Sequence, residues 1–168
     1  MTQRIVLLVG FLVSVALMST ALYFQYGLHL EPCPLCIMQR VAVISAGVVL
    51  LVATIHNPHA IGRRVYGLLL VVAGVFGLTM AGRNVWLQHL PPDQVPSCGP
   101  GLDYMLQNFP FHKALMMIFH GSGDCAEIHW TFLSFSIPEW MLLFFSAYIV
   151  AGLVLIFSRT LFPRHQEK

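Results

Sequence analysis

Between Glu31 and Arg40 the chain carries two thiols three residues apart, Cys33 and Cys36, and a guanidinium four residues further on. A C-x-x-C spacing lets two sulfurs meet within one turn of backbone. Pro32 and Pro34 suit the start of a helix, where the first N–H groups have no partner to lose. The helix dipole and free N–H groups at such a start favour a thiolate, and C-x-x-C motifs lower the thiol pKa. The thiolate is the form that exchanges disulfides. Arg40 falls on the same helical face as both cysteines. It is suited to hold a thiolate or a carbonyl oxygen of a membrane-soluble cofactor. The plainer reading of Arg40 is a cation snorkelling to the headgroups.

Other chemistries fit this pair less well. A zinc site would need Cys98 and Cys125 as its second half, and these lack the close spacing of zinc ligands. A static staple across two residues closes almost no loop and stabilises little. A c-type haem requires His after the second cysteine, and Ile37 stands there. Cys98 and Cys125 lie far downstream, flanked by proline and glycine, which is expected to keep their sulfurs accessible. By themselves they read as a structural disulfide across a loose loop. Exposed disulfides, however, are the labile and catalytic ones. The four cysteines allow three pairings, and a relay would pass through more than one.

The elements that must position these residues are membrane helices. Of the 168 residues, 57% are hydrophobic and 10% charged, against about 25% charged in soluble domains. The net charge of +2 gives no footprint for nucleic acid. Four apolar windows approach the length of about 20 residues that a bilayer demands. The expected helices cover about 5–26, 35–56, 65–82 and 139–158 of one membrane domain, 1–168. Each must be helical, because hydrocarbon offers no partners to the backbone. The first window has a basic start at Arg4, but its apolar run exceeds that of a cleaved signal peptide. The expected fold is all-α, a four-transmembrane-helix bundle with connecting loops at about 27–34 and 83–138.

Lysine and arginine mark the cytoplasmic side. Arg4, Arg63, Arg64, Arg159, Arg164 and Lys168 fall on one side, and Arg40, Arg83 and Lys113 on the other. Both termini are therefore expected in the cytoplasm. All four cysteines are expected on the opposite face, where disulfides persist. Pro91, Pro92, Pro96 and Pro100 make the segment around Cys98 irregular. Residues 111–119 have helical spacing and read as a short helix, either lying flat in the membrane interface or packed on its own domain. Ser136 and Glu139 read as a capping box opening the last helix.

This combination resembles the DsbB family of disulfide-bond-formation membrane proteins. The likeness covers nearly the whole chain: four helices, Cys33 and Cys36 at the start of the second, Arg40 four residues on, and two cysteines in a long outer loop. Gly123, Asp124, Cys125, Ala126 and Glu127, followed by Trp130 and by Pro138, Glu139 and Trp140, are similar to the family's second-cysteine region. The resemblance implies a thiol:quinone oxidoreductase of the bacterial inner membrane, with its cysteines periplasmic. Systems of this type keep the periplasm oxidising by linking a DsbA-like thioredoxin-fold donor to quinone. It implies that the partner attacks a Cys98–Cys125 disulfide and that Cys98 forms the mixed disulfide. Cys125 then exchanges with Cys33–Cys36 through a transient Cys33–Cys125 bridge. Cys36 passes electrons to a quinone held by Arg40: ubiquinone, with menaquinone the alternative. No metal is implied.

Two features depart from the family pattern. Gln39 stands where some relatives are acidic, and no role is assigned to it. The exit of the third helix, from Arg83 to His89, matches distant members poorly, and His89 is expected at the membrane interface beside Trp86 rather than at the quinone. Three rival readings remain: a quinone reductase of the vitamin K epoxide type, a metal-binding membrane protein, and a structural membrane protein with inert disulfides. The first is disfavoured by the placement of the C-x-x-C pair and by the context of Cys125.

Overall fold

A computed structural model describes residues 2–91, 93–97, 102–128 and 130–157. Six helices occur there: α1 (Thr2–Tyr26), α2 (Pro34–His56), α3 (Ala60–Gln88), α4 (Leu102–Asn108), α5 (Phe111–His120) and α6 (Ile137–Phe157). A single turn of 3-10 helix spans Gly123–Cys125, and a two-stranded hairpin joins β1 (Thr131–Phe132) to β2 (Phe135–Ser136). Four of the helices, α1, α2, α3 and α6, are long and apolar enough to cross a membrane. The protein is an all-α, multi-pass membrane bundle.

The long helices run antiparallel in sequence, α1 against α2, α2 against α3 and α3 against α6. The α3–α6 seam is the tightest, and glycine makes it so. A Cβ on Gly67 would stand 2.7 Å from Gly152 O, and one on Gly152 2.7 Å from Gly67 O. Small residues let membrane helices approach until their backbones touch. Phe145, fully buried, lies flat against Gly77. Direct packing between α1 and α6 is slight among the described residues. Ser14 bridges them, donating to Gly10 O at 3.0 Å and sharing a 2.8 Å bond with Tyr148 Oη.

Helix ends follow local chemistry. Cys33 caps α2, its sulfur accepting from Cys36 N–H at 3.3 Å, with Pro34 next. At the other end Asn57 adopts φ +44 and returns its N–H to Ala53 O. Glu139 accepts from Ser136 N–H at 2.6 Å, which is half of the expected capping box. The Ser136 hydroxyl goes elsewhere, donating to Gln88 Oε1 at 2.8 Å.

The third helix corrects the expected 65–82. It runs from Ala60 to Gln88, so the connection after it begins at residue 89 rather than 83. A window that stops at charges stops too early. Arg83 donates to His120 O at 2.9 Å and lies 4.1 Å over the Trp86 ring. Asn84 and Gln88 also find partners inside the protein, so the helix continues past the apolar run. The short helix expected at 111–119 is α5. It buries Ile118 against the cysteine end of the bundle and leaves Phe111 and Met116 exposed.

Candidate functional site

The site forms where α1 ends, α2 begins, α3 ends and α6 begins. Cys33 Sγ and Cys36 Sγ stand 2.8 Å apart as thiols. Both belong to the start of α2, as the proline-flanked motif required. The Cys125 thiol reaches the same point from the far connection and packs in one cluster with Cys33. Three sulfurs therefore meet within a cluster of Leu35, Met80, Leu87, Met105 and Ile118.

The turn before Cys125 is what carries it inward. Gly121 adopts φ +80 and sits against Leu87 and Leu35, where a side chain would collide. Positive φ is open to glycine at little cost. The chain then tucks under, and Cys125 ends 2% exposed. The flanking glycines do not leave this sulfur accessible, as the sequence suggested; they let it be buried. Cys98 lies outside the described residues. Ser97, just before it, accepts from Gly123 N–H at 3.4 Å, so the backbone there lies against the turn that carries Cys125.

The two thiols at the mouth are electrostatically unlike. The Cys33 hydrogen bond draws Cys125 down to about 6, against the opposing effect of burial, with further help from backbone at Ser122 and Leu35. Cys33 is pushed up by its hydrogen bonds to Cys125 and Cys36 and by burial. Cys33 thus keeps the proton and Cys125 is the readier thiolate. Hydrogen bonding to a charged form favours that form.

Asn84 was not legible as a site residue. It is 1% exposed and points its Nδ2 at both sulfurs of the motif, 3.4 Å from Cys36 Sγ and 3.6 Å from Cys33 Sγ. Its Oδ1 is buried without a hydrogen-bond partner. Gln39, to which no role was assigned, is 4% exposed with an unpartnered Nε2. The only sequence sign of Asn84 was its spacing of four from Gln88, which places both on one face of a helix running past the apolar window.

These groups line a cavity of about 130 Å³. Leu17, Met18, Ala21 and Phe24 of α1 wall one side, and Ile137, Pro138 and Met141 of α6 another. Its polar and sulfur surface includes Cys33, Cys36, Cys125, Gln39, Arg40, Asn84 and Gln88, with Ser136 and the carboxylate residues Glu31, Asp124 and Glu127 also in the lining. Arg40 hydrogen-bonds the Gln25 side chain and donates to Ala21 O at 3.1 Å. It does not simply reach for headgroups; it holds the end of α1 against α2. His89 is exposed, bonded to Val85 O at 2.9 Å, and is not among the lining residues.

Comparison with known proteins agrees with this architecture. The family model "Disulfide bond formation protein DsbB" matches residues 3–155. A Disulfide bond formation protein B of Marinobacter nauticus is 50% identical over 159 residues, 95% of each chain. One from Nitrosococcus oceani is 50% identical over 145 residues, 86% of each chain. Another, from an Azoarcus species, is 47% identical over 157 residues, 94% of each chain. With its four long helices, its sulfurs gathered at one end and this coverage by relatives, the chain belongs to the DsbB family of disulfide bond formation proteins.

Proposed function

We propose that this protein is a thiol:quinone oxidoreductase of the bacterial inner membrane, with both termini cytoplasmic and its cysteines periplasmic. It reoxidises a periplasmic DsbA-like thioredoxin-fold donor and delivers the electrons to membrane quinone. The observation that carries the reading is the gathering of Cys125 with Cys33 and Cys36 in one cluster, which brings a sulfur of the long connection to the start of α2. Thiol–disulfide exchange proceeds by attack of a thiolate on a sulfur it can touch.

On this reading the partner's thiolate attacks Cys98 of a Cys98–Cys125 disulfide and forms a mixed disulfide. Cys125 leaves as a thiolate, within the sulfur cluster that holds Cys33. It attacks Cys33 of the oxidised Cys33–Cys36 pair, forming a Cys33–Cys125 bond and releasing Cys36 as the thiolate. The partner's second thiol resolves the mixed disulfide and frees Cys98. Cys98 then attacks Cys125, restoring Cys98–Cys125 and releasing Cys33. The pair Cys33 and Cys36 now carries the two electrons taken from the partner.

The cavity beside Cys36 fits a quinone. Its walls are largely apolar, and it offers an unpartnered donor at Gln39 and an unpartnered acceptor at Asn84. Arg40, held by Gln25, would bind a carbonyl oxygen, with Gln39 as a second donor. When bound, ubiquinone or menaquinone supplies a two-electron acceptor soluble in lipid. Leu17, Met18, Phe24 and Met141 keep bulk water from Cys36, and Asn84 presents N–H groups to the sulfur that becomes anionic.

The test is trapping. Full-length protein carrying Cys125→Ser, whose Cys98 is left as a thiol able to attack the disulfide of the oxidised partner, should accumulate a reductant-sensitive adduct with a periplasmic thioredoxin-fold protein, and Cys98→Ser added to it should abolish the adduct. An adduct that persists without Cys98 would overturn the assigned order of attack. No adduct in either background, with the chain folded, would remove the partner.

A further inference from the structure

The hairpin between Cys125 and α6 has features that the thiol chemistry does not use. Thr131 pairs with Ser136 and Phe132 with Phe135, leaving Leu133 and Ser134 as a two-residue turn. Both turn residues have positive φ, +52 and +68. Such turns are built from Asn, Asp and Gly, and a leucine there is strained. This leucine is also 69% exposed, and Phe132 and Phe135 are 53% and 52% exposed. A strained, exposed leucine between two exposed phenylalanines is a poor choice for a turn in water.

Its surroundings fix its level. Trp130 packs on Phe24, ring centroids 4.9 Å apart, and Phe24 lies near the end of the first membrane span. Phe132 stacks on Trp130 at 6.0 Å. Trp140, in the first turn of α6, donates its Nε1–H to Phe132 O at 3.1 Å. The rings of Phe132 and Phe135 sit 6.1 and 6.0 Å from that of Trp140. The hairpin is thus pinned between the end of one spanning helix and the start of another, where the bilayer surface must be. Aromatic rings gather at that depth in membrane proteins. No charged residue occurs from Trp130 to Pro138. Glu139, the first after it, has its carboxylate engaged by Ser136 N–H.

We infer that the Thr131–Ser136 hairpin is a membrane anchor. Phe132, Leu133 and Phe135 enter the headgroup and upper acyl region of the leaflet at the cysteine end, continuous with the lipid-facing surface of α6. The occupant of this apolar face is phospholipid. The anchor steadies the wall of the cavity, since Trp130 and Ser136 line it on either side of the hairpin. The inference needs only the membrane spans and stands apart from the proposed redox partner.

Photo-crosslinking tests it on the full chain in phosphatidylcholine–phosphatidylglycerol vesicles. Leu133→p-benzoylphenylalanine and Phe135→p-benzoylphenylalanine place the probe at two exposed positions of the hairpin. Asp93→p-benzoylphenylalanine serves as the aqueous reference, being exposed in the connection after α3. Irradiation should give phospholipid adducts by mass spectrometry, at least fivefold more from either hairpin position than from position 93. Equal lipid yields from all three positions would overturn the anchor. Capture of only a second copy of the chain, or of a co-reconstituted thioredoxin-fold protein, would also overturn it.

Discussion

The side-chain nitrogen of Asn84 stands 3.4 Å from Cys36 Sγ, so the last turns of α3 present a donor to a sulfur of α2. The same nitrogen is 3.6 Å from Cys33 Sγ. A donor this buried contributes most when a sulfur carries charge, because hydrogen bonds to charged groups are worth about 1.5–3 kcal/mol. In Asn84→Leu the reduced Cys33–Cys36 pair should lose that support. Its equilibrium with glutathione should shift about tenfold toward the disulfide, equivalent to about 30 mV. Asn84→Asp should shift it the same way, since an anion there opposes a thiolate. An unchanged equilibrium in both variants would reduce Asn84 to packing.

The unequal pKa values of Cys125 and Cys33 have a signature in pH. In the reduced protein, the ultraviolet thiolate absorbance of Cys125, read as the difference from its Cys125→Ser variant, should be half-maximal near pH 6, where an ordinary thiol would need about 8.5. Cys33→Ala removes the donor and should move that midpoint upward. Stability follows with a definite sign. Between about 6 and the ordinary thiol value of about 8.5 the folded chain has shed a proton that the unfolded chain holds, so stability rises with pH. This contribution is complete above the unfolded value and is lost as pH falls through about 6. Cys33, raised in the fold, acts in the opposite sense once pH climbs past the ordinary thiol range. Denaturant titrations of the reduced protein at several pH values read both effects, and a flat profile would contradict the pairing.

Arg40 has two tasks in this reading, and they separate experimentally. Arg40→Ala loses the bonds to Gln25 and Ala21 O, but α1 keeps its packing on α2. The expected result is a KM for quinone raised about tenfold, the loss of one charge-assisted hydrogen bond. The thermal midpoint should change by only a few degrees. Unchanged quinone kinetics would leave Arg40 as a helix tie alone.

The α3–α6 seam should be unforgiving. In Gly77→Ala the new methyl meets the Phe145 ring, which is fully buried and has nowhere to turn. Overpacking of this kind costs about 1–3 kcal/mol. Unfolding in a denaturing detergent should show it, whereas Gly82→Ala, whose new methyl would meet Leu142 at an ordinary 3.9 Å, should be nearly silent.

Much of this architecture was readable in the chain because bilayers permit few solutions. Apolar length gave the four spans, proline around Cys33 marked where α2 starts, and Ser136 with Glu139 marked the start of α6. The end of α3 was not readable, since Arg83, Asn84 and Gln88 look like a loop until their partners are known. Those partners, His120 O, two sulfurs and Ser136, are all distant in sequence. For the same reason Asn84 was not legible as a cavity residue. The burial of Cys125 depends on how Gly121 turns against Leu35 and Leu87, a tertiary fact that no local pattern encodes. The expectation for Cys98 falls outside the described residues.

The slight packing between α1 and α6 has a kinetic meaning for the proposed enzyme. The cavity is walled by these two helices, which pack little on each other, so in the proposed cycle a lipid-borne oxidant would arrive sideways, by diffusion in the plane of the bilayer. Its supply is then counted per lipid molecule rather than per litre. The thiol partner arrives through water and is counted per litre. Extra lipid would starve one half of the catalytic cycle, and extra buffer the other.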